Sequence, residues 1–386
     1  MKNSPALMHP QRSTGGFGLI ELMVAMAIGL VITAATLTLY VDMSRSNNEL
    51  AKTNTQIENG RLAIQLLRDD LMHAGFWNGY IPNFDDMTLT GAPADYPRDI
   101  PSPCLAYASW TSQHRENLIG VPVALYADVP SGCSSQLPDK QPNSDVLVVR
   151  HVQNCVAGAA NCEALTAGKL YWQTSFCEAE ARYQLSDAGL TLTRRDCTTT
   201  AEIRKFVNNI YYLRNYALDP GDGIPTLMQS SFDLQAGSLV QQPAVAMVEG
   251  VEAMRFEFGV DDRSDANQAV SHTQAITWAN PQSRSSPTNR GDGAADRSCT
   301  STTCSSAITP ACDMDPTKPA LCNMVDSVVV KVYLLVRNLE PTPGYVSSQQ
   351  YTLAGQTYGP FNDNFQRHVY STTVRLTNVS GRRETP

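Results

Sequence analysis

The stretch from Phe17 to Val41 limits what this chain can become more than any other. It is apolar, small or weakly polar throughout, with Glu21 as its one charged side chain. As a helix it would be about 37 Å long, and the hydrocarbon layer of a bilayer is about 30 Å thick. Length alone therefore predicts a membrane anchor. An acid within such a span costs on the order of 3 kcal/mol to insert, so Glu21 requires compensation. Near the end of the span it can snorkel to headgroups. The Gly16–Phe17 junction, where a short polar leader meets the apolar run, offers a second answer. A cut there makes Phe17 a new amino terminus whose ammonium can pair with Glu21 of a neighbouring copy. Buried charge then sets the register of an assembly.

The leader, residues 1–16, carries Lys2 and Arg12 and no acid, which predicts that it stays on the cytoplasmic side while the rest faces outward. An ordinary secretory signal fits poorly, because the apolar run is too long and no small-residue cleavage site follows it. Gly16, Phe17, Leu19, Ile20 and Glu21 together resemble the prepilin signature of type IV pilins and type II secretion pseudopilins. The resemblance implies cleavage after Gly16 by the prepilin peptidase, N-methylation of Phe17, and an assembly role for Phe17 and Glu21 in a filament core. Major type IV pilins commonly carry a proline deep in this helix. Here no proline occurs, and Gly29, Thr36 and Thr38 stand instead, which argues for a minor subunit.

At 386 residues, 42% apolar and 17% charged, the chain has the composition of a folded product larger than one compact core usually serves. Its formal charge of −8 becomes −10 once the two leader cations are removed, a poor balance for gripping nucleic acid. The ten cysteines are Cys104, Cys133, Cys155, Cys162, Cys177, Cys197, Cys299, Cys304, Cys312 and Cys322. Their even number behind an export anchor predicts disulfides formed in an oxidising compartment. None lies in a C-x-x-C pair. Connectivity does not follow from sequence, although pairing of near neighbours, Cys155 with Cys162 and Cys299 with Cys304, is the simplest arrangement.

Beyond Val41 the helix is expected to continue as an amphipathic spine over 42–75, with Leu50, Ile57, Ile64, Leu67 and Leu71 as its apolar stripe. Gly60 interrupts it, and Gly75 is a suitable residue for its end. From about Gly18 to Ala74 this spine would be roughly 85 Å long. A head over 76–386 follows. Strands are predicted at 145–152, 169–175, 206–216, 244–260, 327–337 and 368–377, with a hairpin whose arms are 181–185 and 190–194. Residues 81–143 and 261–323, rich in Pro, Ser, Asp and Gly, read as irregular, cysteine-tethered excursions. The expected class is α+β, a long N-terminal helix packed on an antiparallel sheet.

Residues 58–76, then 222–227, 239–262, 328–338 and 368–378, look like corresponding passages of PilW-type minor pilins. Residues 81–140 and 263–323 carry no such likeness. The resemblance implies a minor pilin, anchored in the inner membrane with a periplasmic head, that joins other minor pilins and the major pilin, primes pilus assembly and sits near the tip beneath an adhesin, in support of adhesion and twitching motility. A J-like pseudopilin of type II secretion is the related alternative.

Enzyme chemistry finds no support in the motifs: no nucleophile elbow, metalloprotease helix, phosphate loop or dinucleotide fingerprint is present. His9, His73, His114, His151, His272 and His368 are scattered. Asp219 with Asp222, Asp261 with Asp262 and Asp265, Asp313 with Asp315, and Asn362-Asp363-Asn364 are acidic groupings. None completes an EF-hand loop, and they read as turns, so no metal or cofactor is expected. DNA capture, as in competence pilins, would need a basic stripe, whereas the adjacent arginines, Arg194-Arg195 and Arg382-Arg383, are too sparse to make one.

Overall fold

The computed structural model describes residues 16, 18–307 and 311–384. The chain divides into two compact units, 1–54 and 55–386, and helix α1, Leu19–His73, contributes to both. In the first unit every residue from Leu19 to Asn48 is exposed. Its mean hydropathy reaches 2.3 over an 18-residue window, the profile of a helix made for lipid or for other helices.

In the second unit α1 buries Gln56, Gly60, Ala63, Leu67 and Leu71. This corrects the stripe expected from sequence. Leu67 and Leu71 belong to it, Leu50 is 58% exposed, and Ile57 and Ile64 are only half-buried. The cause is close approach. A Cβ on Gly60 would stand 2.4 Å from the Tyr370 ring, so the buried face is built from small residues as well as large ones. Gly60, an interruption in the helical pattern, is where the Tyr370 ring packs against the helix.

Sixteen strands follow among the described residues: β1 Val123–Tyr126, β2 Val146–Val152, β3 Tyr171–Thr174, β4 Tyr183–Ser186, β5 Ile203–Arg214, β6 Thr226–Gln235, β7 Ser238–Gln241, β8 Val245–Glu249, β9 Val251–Val260, β10 Trp278–Asn280, β11 Ser285–Pro287, β12 Arg297–Thr300, β13 Ser327–Arg337, β14 Tyr351–Leu353, β15 Gln356–Tyr358 and β16 Arg367–Arg375. One sheet has the order β1-β2-β5-β3-β4, with β6 also on β5 and with β7 and β8 on β6; a second has the order β12-β9-β13-β16. All pairings are antiparallel. The fold is α+β.

Residues 244–260, expected as one strand, are divided at Gly250. Its φ of +82° suits glycine, and its amide and carbonyl bond to Pro225 and Arg337. β8 therefore joins the first sheet and β9 the second, so one turn couples both. The main core lies where Ala63, Leu67 and Leu71 of α1 meet Val146, Val148, Tyr212, Phe256, Val330 and Val332. A second, aromatic cluster contains Trp77, Trp110, Trp172, Phe206 and Phe232. Helix α1 stops at His73, and Gly75, with φ +73°, donates its amide to Arg150 of β2 rather than back into the helix.

The expected hairpin over 181–194 does not form. β4 pairs with β3, and its supposed second arm makes only an isolated bridge, Thr193 to Thr200. Gln173 of β3 explains this, since its side chain accepts from the Leu192 amide and donates to the Leu192 and Ala201 carbonyls. The stretch 81–143 is also more regular than expected. It holds α2, Ser112–Gly120, capped by Thr111, together with β1. The buried Arg150 guanidinium gathers it by donating to the carbonyls of Val121 at 2.7 Å and Pro101 at 3.2 Å.

Residues 261–323 contain β10 to β12 and α3, Pro319–Val325, and they enter the core through Cys299, Leu321, Met324 and Val325. The ten cysteines form five bridges: 104–133, 155–162, 177–197, 299–304 and 312–322. Each closes a local loop.

Alanine in a helix interior ordinarily gains up to about 1 kcal/mol over glycine. Gly60→Ala should do the reverse and lose about 1–3 kcal/mol, because the added methyl overpacks against Tyr370. Thermal unfolding of the full chain in detergent, disulfides intact, measures this; a raised midpoint would contradict the close approach.

Candidate assembly interface

The anchor begins at a helix N-terminus, where four amides lack partners within the helix. Glu21 Oε2 accepts one of them, from Gly18 at 2.9 Å. Gly16 is exposed, and Phe17, the other processing and assembly residue expected from sequence, lies outside the described residues, as does the leader before Gly16. Thr33, Thr36 and Thr38 return their hydroxyls to the carbonyls of Gly29, Thr33 and Ala35. Those hydroxyls are thereby satisfied in lipid. What this surface offers a neighbour is an apolar helix carrying a single carboxylate.

In the head, polar side chains fasten α1 to the sheets. Gln56 donates to the carbonyls of Val336 at 2.7 Å and Gln366 at 3.1 Å, and Asn59 donates to Glu249. Asp70 is the largest such junction. It accepts from His151 at 2.8 Å, Asn209 at 3.0 Å and Tyr211 at 2.9 Å, at one side of a cleft of about 330 Å3 also lined by Lys205, Gln229 and Asp233. Burial, then the Asp70 charge, holds the Tyr211 phenol far above its ordinary value. No sequence motif marks this group. The available signal was an acid in the last turn of a helix, where the carbonyl end repels it unless a partner waits. Of the six histidines the structure brings His73 and His151 together, with ring centroids 5.6 Å apart.

The second charged group is buried at the chain's end. Helix α4, Thr377–Arg383, places Arg383 against Asp85 at 3.0 Å, Asp326 at 3.1 Å and Asp261 at 3.4 Å, while Arg382 meets Asp85 at 3.1 Å. His272 Nε2 lies 2.7 Å from Asp326. These arginines are therefore internal ties, not a grip for phosphate. Burial pushes the Asp261 carboxyl up to about 6, and although Arg383 opposes this, Asp326 adds to it. Burial also acts to raise Asp85, but Arg383 and Arg382 outweigh it and keep that carboxyl below its ordinary value.

The remaining acidic groupings are occupied internally as well. Asp222 accepts from the amides of Ile224, Ala217 and Leu218, bonds that hold it down at about 2. Asp313 accepts from Ser271 and Thr273, and Asp363 pairs with the buried Arg367 at 2.7 Å. Among the described residues no group of three or more His, Cys, Asp or Glu is arranged to hold a metal ion.

Comparison with known proteins matches two family models. Residues 11–37 match the prokaryotic N-terminal methylation motif, and residues 210–378 match type IV pilus-assembly protein W. The second span runs from within β5 to the start of α4; it crosses residues 263–323 and leaves out 58–76. A type IV-like pilin of Thermus thermophilus is similar at 12% identity over 84% of this chain and 97% of its own, with a TM-score of 0.32. No curated protein matches in sequence.

Removing Arg383 leaves three buried carboxylates without their shared cation, so Arg383→Leu should lose about 3–5 kcal/mol. The sign with pH follows from Asp261. Its carboxyl is raised in the fold, so the folded chain binds the extra proton and stability falls as pH rises from about 4 to about 6. The variant's deficit should thus be larger at about pH 7 than at about pH 4. Thermal unfolding at both values tests it; a deficit independent of pH would count against this wiring.

Proposed function

The chain belongs to the PilW-type type IV pilins, and we propose that it serves as a minor pilin, entering a complex with other minor pilins that primes pilus assembly and remains at or near the tip. Pilins of this family are structural proteins, not enzymes. The N-methylation motif and the apolar first half of α1 fit a membrane-anchored pilin, and membership implies association with other pilus components. The finer reading is that the prepilin peptidase cuts after Gly16 and that the head lies in the periplasm until the helix is drawn into the filament. At the tip the subunit would lie beneath an adhesin and support attachment and twitching.

The observation carrying this reading is Glu21. It is the only charged side chain between Gly18 and Val41, on a stretch of helix that is exposed throughout and otherwise apolar or weakly polar. Among the described residues its one hydrogen bond, from Gly18, uses a single oxygen. The other is available to a cation, and the amine of a cleaved neighbour is the cation such an assembly supplies. Pairing neutralises a charge that lipid disfavours and sets the axial register.

Glu21→Ala should insert into the membrane as well as the native chain yet fail to co-purify with the other minor pilins of its own cell. Unchanged recovery would remove the proposed role, and recovery with secretion pseudopilins instead would move the chain to that apparatus. Intact mass of the envelope form should correspond to a chain beginning at N-methylated Phe17. A chain still beginning at Met1 would leave no amine for Glu21 to meet.

A further inference from the structure

We propose that the outer edge of β16 is a docking site for an extended segment of a different pilus subunit, which adds to the second sheet as a further strand; this rests on the pilin reading above. β16 pairs with β13 through nine consecutive positions without a register shift. The direction of its backbone groups follows from both ends. Leu376 donates to Val328, and Asn338 donates to Gln366. These two pairs share the register of β13 and β16, so even-numbered residues bond to β13 and odd-numbered ones point their N–H and C=O away from it. The outward groups are those of Val369, Ser371, Thr373 and Arg375. Among the described residues no other backbone group bonds to them.

This edge is unlike the others in the head. β1, β4, β7 and β12 have four residues each and β8 five, whereas β16 has nine. Proteins protect long edges with proline, bulges or charge. Between His368 and Val374 there is none of these, and β-branched residues predominate.

The space beside the edge indicates what fits it. At 100° per residue, Ile57, Arg61, Ile64 and Arg68 fall on the flank of α1 opposite Asn59, which faces β8 through Glu249. Gly60, next to Arg61, would set a Cβ 2.4 Å from the Tyr370 ring, which places this part of α1 over β16. The half-buried Ile57 and Ile64, left over from the buried stripe, therefore stand on the side where an added strand would pair. An added strand would set apolar side chains toward Ile57, Ile64 and Tyr370 and polar ones beside Ser371 and Thr373. Acidic residues at its ends would suit Arg61 and Arg68. The occupant is thus an extended segment of alternating apolar and polar residues with flanking acids. A second copy of β16 fits badly: antiparallel pairing centred on Ser371 sets Arg375 opposite Arg367, and in-register parallel pairing sets Arg375 beside itself.

The test uses the full chain in detergent, alone and co-expressed with the other minor pilins of its own cell. The amides of Val369, Ser371 and Thr373 should exchange with deuterium at least about tenfold more slowly in the co-assembly. Unchanged exchange overturns the proposal, and this readout needs no variant. Ser371→Pro removes only an outward N–H, which an edge tolerates. It should keep the native unfolding midpoint while losing capture of the partner. Capture of Ser371→Pro at the native level overturns the proposal, as does a photo-crosslinker at Thr373 that returns only a second copy of this chain. Loss of capture by Glu21→Ala but not Ser371→Pro would remove the edge alone; capture indifferent to both would remove the pilin reading too.

Discussion

The close seating of α1 on the sheets is the contact the head depends on. Gly60 and Ala63 let the helix approach until Tyr370 lies against its backbone, and Leu67 and Leu71 then fill the space above β2 and β13. Each such leucine contributes about 1.5–3 kcal/mol when fully buried. Without the helix, the inner faces of strands as apolar as Val146–Val152 and Val328–Val336 would lose the cover of Ala63, Leu67 and Leu71. The polar ends of the contact, Gln56 and Asp70, are bonded to sheet carbonyls and side chains, which fixes the helix along its own axis.

The rest of the head is held by internal charge to an unusual degree. Asp145 meets Arg255 at 2.7 Å, accepts from Ser301 at 2.6 Å and from the Phe256 amide. Asp85, Asp261 and Asp326 converge on Arg383, and Arg367 is shared by Glu252 and Asp363. These junctions join segments far apart in sequence, which the five local disulfides do not do. Bridges restrict each loop in the unfolded chain; the buried ions decide where the loops lie. A long polar excursion such as 261–323 is thereby ordered by carboxylates and arginines where it lacks leucines.

Recognition in such a molecule falls to what is left unpaired after folding. In the anchor that is a carboxylate on an apolar helix, one of whose oxygens accepts from Gly18. In the head, on the inference drawn above, it is backbone along β16, which among the described residues pairs on one side only. Both are specific for geometry more than for side-chain identity, which suits the proposed place among related subunits.

Glu21, the apolar run behind it and the even cysteine count were legible because each is a local property: one stretch of chain has to satisfy the membrane, or the redox compartment, by itself. Strands such as β2 and β13 were legible for the same reason, as continuous β-branched runs. The buried face of α1 was not, since apolar spacing cannot reveal that a glycine and an alanine will face a tyrosine from more than 300 residues away. Nor could Gly250 announce that the strand around it divides between two sheets, or Arg382 and Arg383 that they lie inside. The sequence by itself determined the anchor, the class of fold and the family. Tertiary structure alone decided which charges are buried together and which strand edge stays open, because burial and pairing depend on partners distant in the chain.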